Sequence, residues 1–246
     1  MRLGIQLYSV RDQIEKDFKG TIGALKEMGF EGVEFAWNYG GMEPAAVADF
    51  IAKTGLVTCG LHTSLKDLQD AKSAPYQYAK ALKTPCITTS CCGKTELDNW
   101  DATITALAEA GRVAAGEGFR FTYHNHAQEF EQRGGVALLD ALYAKTDAKH
   151  VKAELDTAWI YAGGQDPVSY IKKYAGRVPQ VHAKDYSKTT KFVIEIGRGE
   201  LDFAKIAAAA REAKAEWLIY ELDTSTIGDS LASAREAIRH LKPLVG

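Results

Sequence analysis

The chain alternates short apolar runs with amphipathic stretches from end to end. Eight runs read as buried parallel strands: Leu3–Leu7, Val33–Phe35, Val57–Leu61, Cys86–Thr89, Phe119–Tyr123, Val151–Leu155, Val178–Val181 and Trp217–Tyr220. Between them, apolar residues at helical spacing predict helices over Phe18–Met28, Ala45–Lys53, about Ala71–Leu82, Asp98–Gly116, Val136–Ala144, Pro167–Tyr174, Phe203–Ala213 and Ser230–Leu241. In the first helix Phe18, Ile22 and Leu25 share a face, and Gly29 supplies the stop. Pro44 suits a first helical turn, and Asp202 suits an N-cap. A strand followed by a helix, repeated eight times with no linker or low-complexity segment, predicts a single (β/α)8 TIM barrel, one domain over residues 1–246. The longest stretch without a pattern is Tyr186–Glu200, and loops of that length are usually functional. Its Ile196-Gly197-Arg198-Gly199-Glu200 permits a tight backbone path near a ligand.

Several runs end abruptly in a residue that binds metals or moves protons. Phe119–Tyr123 ends in His124-Asn125-His126, Val151–Leu155 in Asp156, Val178–Val181 in His182 followed by Lys184, and Trp217–Tyr220 in Glu221. In a βα-barrel the carboxyl ends of the strands converge on one rim, where catalytic groups sit. Asp156, His182 and Glu221 combine carboxylate and imidazole donors, which suits Mn²⁺, Zn²⁺, Fe²⁺ or Co²⁺ and favours Mg²⁺ less. Singly, Asp156 reads as a helix cap and His182 as a structural histidine; together on consecutive strands they predict one shared site. Alternate residues of a strand share a face, so a strand continuing through His126 points His124 and His126 together into the barrel mouth, with Glu129 just beyond; the alternative is a solvated loop with two histidines. Glu154 shares the parity of Asp156 one layer down and must be paired or protonated; Lys184 and Lys152 are its candidate partners, and tuning of the site is its alternative role. Trp37 and Trp159, near strand ends, suit the apolar walls of a ligand pocket, and His62, Lys184 and Arg198 are candidate contacts to ligand oxygens.

Composition narrows the function classes. With 46% apolar residues over 246 positions, the chain can bury a full core. A net charge of −2 with scattered Lys and Arg argues against a nucleic-acid partner. No apolar stretch reaches the length of a membrane span, and the N-terminal residues lack the apolar core and cleavage site of a signal peptide, so the expected location is the cytoplasm. The four cysteines, Cys59, Cys86, Cys91 and Cys92, then read as free thiols. A redox role for the adjacent Cys91-Cys92 is disfavoured by the strain of closing such a pair.

Gly4-Ile5-Gln6-Leu7-Tyr8-Ser9-Val10, His124-Asn125-His126-x-x-Glu129-Phe130, Glu154-Leu155-Asp156-Thr157-Ala158-Trp159, Val181-His182-Ala183-Lys184-Asp185, Gly197-x-Gly199-Glu200-Leu201-Asp202-Phe203 and Tyr220-Glu221-Leu222-Asp223 occur in that order along the chain. On these segments the chain resembles the sugar phosphate isomerase/epimerase family of the xylose-isomerase-like TIM barrels. The resemblance implies one divalent metal ion (Mn²⁺, Zn²⁺, Co²⁺ or Mg²⁺) held by the residues matching Asp156, His182 and Glu221. Many members carry a glutamate ligand at the end of strand five, where this chain has His124. Either His124 replaces it or Glu129 reaches back to supply the carboxylate. Glu129 is the assignment preferred from the sequence, leaving His124, His126 and Lys184 for proton transfer or substrate contact.

The implied chemistry polarises a substrate carbonyl, removes the proton next to it and stabilises an enediolate. The superfamily includes ketose epimerases, aldose–ketose isomerases, inosose and dehydroshikimate dehydratases, 3-keto-glycoside lyases and a DNA repair endonuclease, so the metal alone does not select the reaction. The expected function is a sugar isomerase or epimerase acting on a small sugar or keto-sugar, with a dehydratase or lyase as the runner-up and a non-catalytic sugar-binding barrel as the rival of another class. The absence of a Gly-rich phosphate cradle after strands seven and eight favours a non-phosphorylated substrate. The endonuclease reading needs a multi-metal cluster; of six histidines, His150 and His240 look peripheral, and no basic patch is present. The oligomeric state is open between monomer and homo-oligomer.

Overall fold

The apolar runs become eight parallel strands, each paired with its sequence neighbours, and the last pairs with the first to close a ring. They are β1 (Arg2–Gln6), β2 (Gly32–Ala36), β3 (Val57–His62), β4 (Cys86–Thr89), β5 (Arg120–His124), β6 (Val151–Asp156), β7 (Gln180–Ala183) and β8 (Trp217–Tyr220). The computed structural model describes residues 1–90 and 93–245, and the thiols expected at Cys91 and Cys92 lie outside the described residues. Cys59 and Cys86 are free and buried, as expected. Among the described residues no helix is long and apolar enough to cross a membrane.

Strand alternation divides the core. Leu3, Ile5, Val33, Phe35, Leu155, Val181 and Leu218 are fully buried in the apolar layer shared with the surrounding helices. The opposite parity fills the barrel, and it is polar toward the carboxyl end: Gln6 stands beside Glu34, Thr88 beside Thr122, and Glu154 beside Gln180. The amino end is plugged by a separate apolar cluster of Cys59, Trp217 and Ile219. Gly4 and Gly32 make room for it. A Cβ on Gly32 would lie 2.7 Å from the Trp217 ring, and one on Gly4 would lie 3.1 Å from Cys59 Sγ. The guanidinium of Arg2 covers the indole from below, 4.5 Å from the ring centre. Water is therefore kept from the polar layer on one side and admitted only from the rim.

Four stretches differ from the sequence expectation. The helix expected over about Ala71–Leu82 begins at Ala74 and is preceded by a separate short helix, Leu65–Leu68, which Ser64 caps through its hydroxyl. The helix expected over Asp98–Gly116 is preceded by a separate turn, Lys94–Asp98, and begins at Trp100; the Asn99 side chain donates back to the Thr95 carbonyl instead of capping forward. Val136–Ala137 pairs with Gln132–Arg133 in a small hairpin, so the following helix starts at Leu138. The Tyr186–Glu200 loop also carries structure: Asp185–Ser187 and Phe192–Ile194 form an antiparallel pair. One carboxylate organises that loop. Asp185, fully buried, accepts from the backbone N–H groups of Tyr186, Gly197, Gly199 and Leu201.

The plug gives a stability prediction. Gly32→Ala forces a methyl group against a rigid indole and should cost about 1–3 kcal/mol, read by urea denaturation. A loss below about 0.5 kcal/mol, within the range of inconsequential substitutions, would show that Trp217 does not fill this space tightly.

Candidate metal centre at the strand ends

Four donors from consecutive strands meet at the carboxyl rim. His124 ends β5, Asp156 ends β6, His182 lies in β7, and Glu221 follows β8. One ligand atom from each lies within 4.8 Å of the others, and all four residues are buried. Asp156 serves two purposes at once. Its Oδ1 caps the helix Thr157–Ala162 by accepting from the Trp159 N–H at 2.9 Å, which aims Oδ2 into the ring. Neither Asp156 Oδ2 nor His124 Nδ1 has a hydrogen-bond partner, although both are buried. Buried polar atoms left without a partner signal a missing one, and this mixed nitrogen–oxygen set fits a divalent transition-metal ion. The ends of β6 and β7 are tied by the Thr157 hydroxyl, which lies 3.0 and 2.8 Å from the carbonyls of His182 and Lys184 and accepts from the Lys184 N–H.

A second polar layer lies directly beneath. His182 Nε2 sits 2.7 Å from Glu34 Oε2 and in contact with Glu154 Oε1. His62 Nε2 lies 3.2 Å from Glu34 and 3.3 Å from Glu154. Glu154 therefore pairs with two imidazoles and not with Lys184 or Lys152, the partners expected from the sequence. Its place below the rim holds it away from the lysine, which reaches upward. Lys184 is fully buried, with its Nζ 3.5 Å from Asp156, 3.2 Å from Glu221 and 3.1 Å from Asp223.

The electrostatics follow from burial and these pairings. Burial alone would push the Lys184 ammonium down, but the charges of Glu221, Asp156 and Asp223 outweigh it and hold Lys184 above its ordinary value. His182 is likewise raised, because Glu154 and Glu34 overcome its desolvation. Glu221 is driven well below the usual carboxylate range: desolvation opposes this, and the charges of Lys184 and His182 prevail. Asp156 is pushed up to about 7, chiefly by burial and with Glu221 adding to the effect, because too little positive charge faces it. His124 is lowered by burial and by the neighbouring His182. His126 falls to about 4 through burial and the charge of Lys184, so its ring is neutral at pH 7.

The rim encloses a cavity of about 350 Å³ lined by Trp37, His62, His124, His126, Trp159, Lys184 and Glu221, with Gln6, Tyr8 and Asp223 added. Most of the residues expected at a site are thus brought together, and two are not. Glu129 is turned away: its carboxylate accepts from the Tyr123 hydroxyl at 2.8 Å and the His126 N–H at 3.1 Å, and it belongs to neither donor group. The short turn Gln128–Phe130 returns the side chain beneath the strand end, so His124 occupies the strand-five position in the ring. Arg198 is exposed and bound to Glu236 on the last helix, because Asp185 folds its loop outward. A larger groove of about 670 Å³ lies outside the barrel; its Asp101 and Lys145 pair with each other at 2.6 Å, and it holds none of the ring donors. Glu34 was not singled out by the sequence reading. The signal was there, a lone carboxylate between Val33 and Phe35 in an otherwise apolar run.

Comparisons with known proteins agree with this architecture. The model of the xylose isomerase-like TIM barrel family matches residues 22–244. An inosose dehydratase of Clostridium botulinum is 30% identical over 108 residues, a match covering 44% of this chain and 35% of that protein. A sugar phosphate isomerase/epimerase of Parabacteroides distasonis superposes with a TM-score of 0.86 at 19% identity, covering 100% of this chain and 96% of the other. An L-ribulose 3-epimerase superposes with a TM-score of 0.71 at 18% identity, covering 99% and 94% of the two chains. At such identities the two structures speak to the fold alone.

The displaced glutamate has a measurable consequence. Burial pushes the Glu129 carboxyl from 4.5 up to about 7, against the pull of the Tyr123 hydroxyl and the His126 N–H. Between those values the folded chain holds a proton that the unfolded chain has released. The stabilisation is therefore complete below pH 4.5 and is lost as the pH rises through about 7. Glu129→Gln, neutral throughout, should flatten the stability–pH curve between pH 5 and 8 by about 3 kcal/mol. Parallel curves for variant and wild type would refute the assignment.

Proposed function

The chain belongs to the xylose isomerase-like TIM barrel family, and on that premise we propose that it is a metal-dependent enzyme that removes the proton next to a carbonyl of a sugar or keto-sugar, giving isomerisation or epimerisation. The observation that carries this reading is the buried ring of His124, Asp156, His182 and Glu221, opening onto a cavity that also presents a charged lysine and a neutral histidine. His124 takes the place that the sequence reading gave to Glu129. A divalent cation held by these four residues would supply positive charge that polarises a chelated carbonyl and offsets the charge developing on its oxygen.

The chain's own groups account for the remaining steps. His126 is the candidate base: its neutral ring faces the cavity, stacked at a tilt 5.7 Å from Trp159. Its low basicity suits it only to a carbon already acidified by a polarised neighbouring carbonyl. Lys184 keeps its charge and donates toward a substrate oxygen that gains negative charge. Trp37 and Trp159 offer apolar faces for a sugar ring, and His62 offers a polar contact at the cavity floor. A second outcome of the same proton loss, elimination of a neighbouring hydroxyl, is favoured by the likeness to inosose dehydratase, and the Lys184 ammonium that lines the cavity is the candidate proton donor to such a leaving group.

Two experiments test this reading. Asp156→Asn and His182→Ala, each folded by circular dichroism, should each lose bound metal at least ten-fold; stoichiometric metal in both would remove the ring from consideration. His126→Gln should keep its metal while turnover falls about 100-fold or more. Turnover in deuterated water should label one substrate carbon; a product with no solvent deuterium would indicate hydride transfer, overturning proton abstraction and leaving the metal centre in place.

A further inference from the structure

The barrel holds two overlapping donor sets that share His124 and His182. The upper set adds Asp156 and Glu221; the lower adds His62 and Glu154. His182 faces both, one ring nitrogen to each. Its Nδ1 lies 2.7 Å from Glu221 Oε2, and its Nε2 lies 2.7 Å from Glu34 Oε2 and against Glu154 Oε1. An imidazole nitrogen that carries a proton cannot ligate a metal, so the location of that proton decides which set is usable.

Glu34 is built to be an acceptor at this point. Gln6 Nε2 donates to its Oε2 at 2.9 Å and Gln180 Nε2 to its Oε1 at 3.2 Å. The residue facing it on β3 is Gly60, where a Cβ would overlap Glu34 Oε1, so the missing side chain creates the space the carboxylate fills. Gln180 is itself oriented from across the barrel, since its amide also donates to the Cys59 carbonyl of β3 at 3.2 Å. Glu34, Glu154 and His182 are all fully buried, so no solvent competes for the Nε2 proton.

We infer that Glu34, assisted by Glu154, is a positioning residue that holds the proton on His182 Nε2, so that Nδ1 is the metal ligand and the cation is placed in the upper set beside the cavity. This rests on the reading that the ring binds a metal. The deeper set is thereby denied His182, and the ion is kept where a substrate can reach it.

The test uses ¹¹³Cd²⁺ as probe on the intact protein with ¹⁵N-labelled histidine. Through-bond coupling should run from cadmium to His182 Nδ1, with Nε2 still protonated. Coupling to Nε2 would overturn the inference, and this arm needs no variant. Glu34→Gln, which puts an amide N–H against a donor, should weaken Zn²⁺ binding about 10- to 100-fold in competition with a chromogenic chelator. Wild-type affinity in both Glu34→Gln and Glu154→Gln would overturn the inference while the metal centre stands. A wild-type chain that binds neither Zn²⁺ nor Cd²⁺ would instead overturn the metal reading itself, and the inference with it.

Discussion

The constraint on which the centre depends is the burial of four carboxylates, Glu34, Glu154, Asp156 and Glu221, at the carboxyl half of one barrel. A carboxylate removed from water must be paired, protonated or bound to a metal, because its desolvation costs several kcal/mol. Lys184 and the imidazoles of His62 and His182 supply the available positive charge. Three cations against four anions leave a deficit, and it appears at Asp156, whose carboxyl is pushed up to about 7. The same carboxylate carries an oxygen without a hydrogen bond, Oδ2, which faces His124 Nε2 at 3.8 Å and Lys184 Nζ at 3.5 Å. The electrostatic deficit and the missing hydrogen bond fall on the same carboxylate, where a divalent ion would resolve both.

The fold meets this constraint by separating the two ends of its interior. Apolar Trp217, Ile219 and Cys59 close the amino end, with Gly4 and Gly32 yielding the space an indole requires. Above them the interior positions turn polar and are bonded strand to strand, from Gln6 through Glu34 to Gln180 and across to the histidines. Such a network is stabilising only when its members are satisfied, so the residues that look like a scaffold for the rim also fix its geometry. Two carboxylates also organise the backbone around the rim. Asp156 caps the helix that follows it while facing the ring, and Asp185 gathers four backbone N–H groups to fold its loop away from the mouth.

Two residues expected at the site lie away from it for related reasons. Glu129 and Arg198 sit in segments with the right composition for a site, and only the path of the chain decides whether they reach it. The turn at Gln128–Phe130 sends Glu129 down to Tyr123, and the hairpin from Asp185 to Ile194 carries Arg198 out to Glu236. Neither path follows from periodicity, because each is set by a buried carboxylate that captures N–H or O–H donors within its own turn or loop. Glu34 escaped notice for the opposite reason. Its meaning lies in partners on β1 and β7, far away in sequence, and a lone carboxylate inside an apolar run has no local interpretation.

The sequence by itself determined the alternation of apolar strands and amphipathic helices, and with it the barrel, because burial on both faces of a strand leaves a pattern that needs no partner to be read. It also determined that Asp156, His182 and Glu221 stand at strand ends, since closing a parallel ring brings those ends together whatever the loops do. Tertiary structure alone decided that His124 and not Glu129 lies among the ring donors, that Glu154 pairs with His62 and His182 and not with a lysine, and that Glu34 meets His182. Those outcomes rest on distances of a few ångströms between strands that are remote in sequence, and on how burial distributes charge among them.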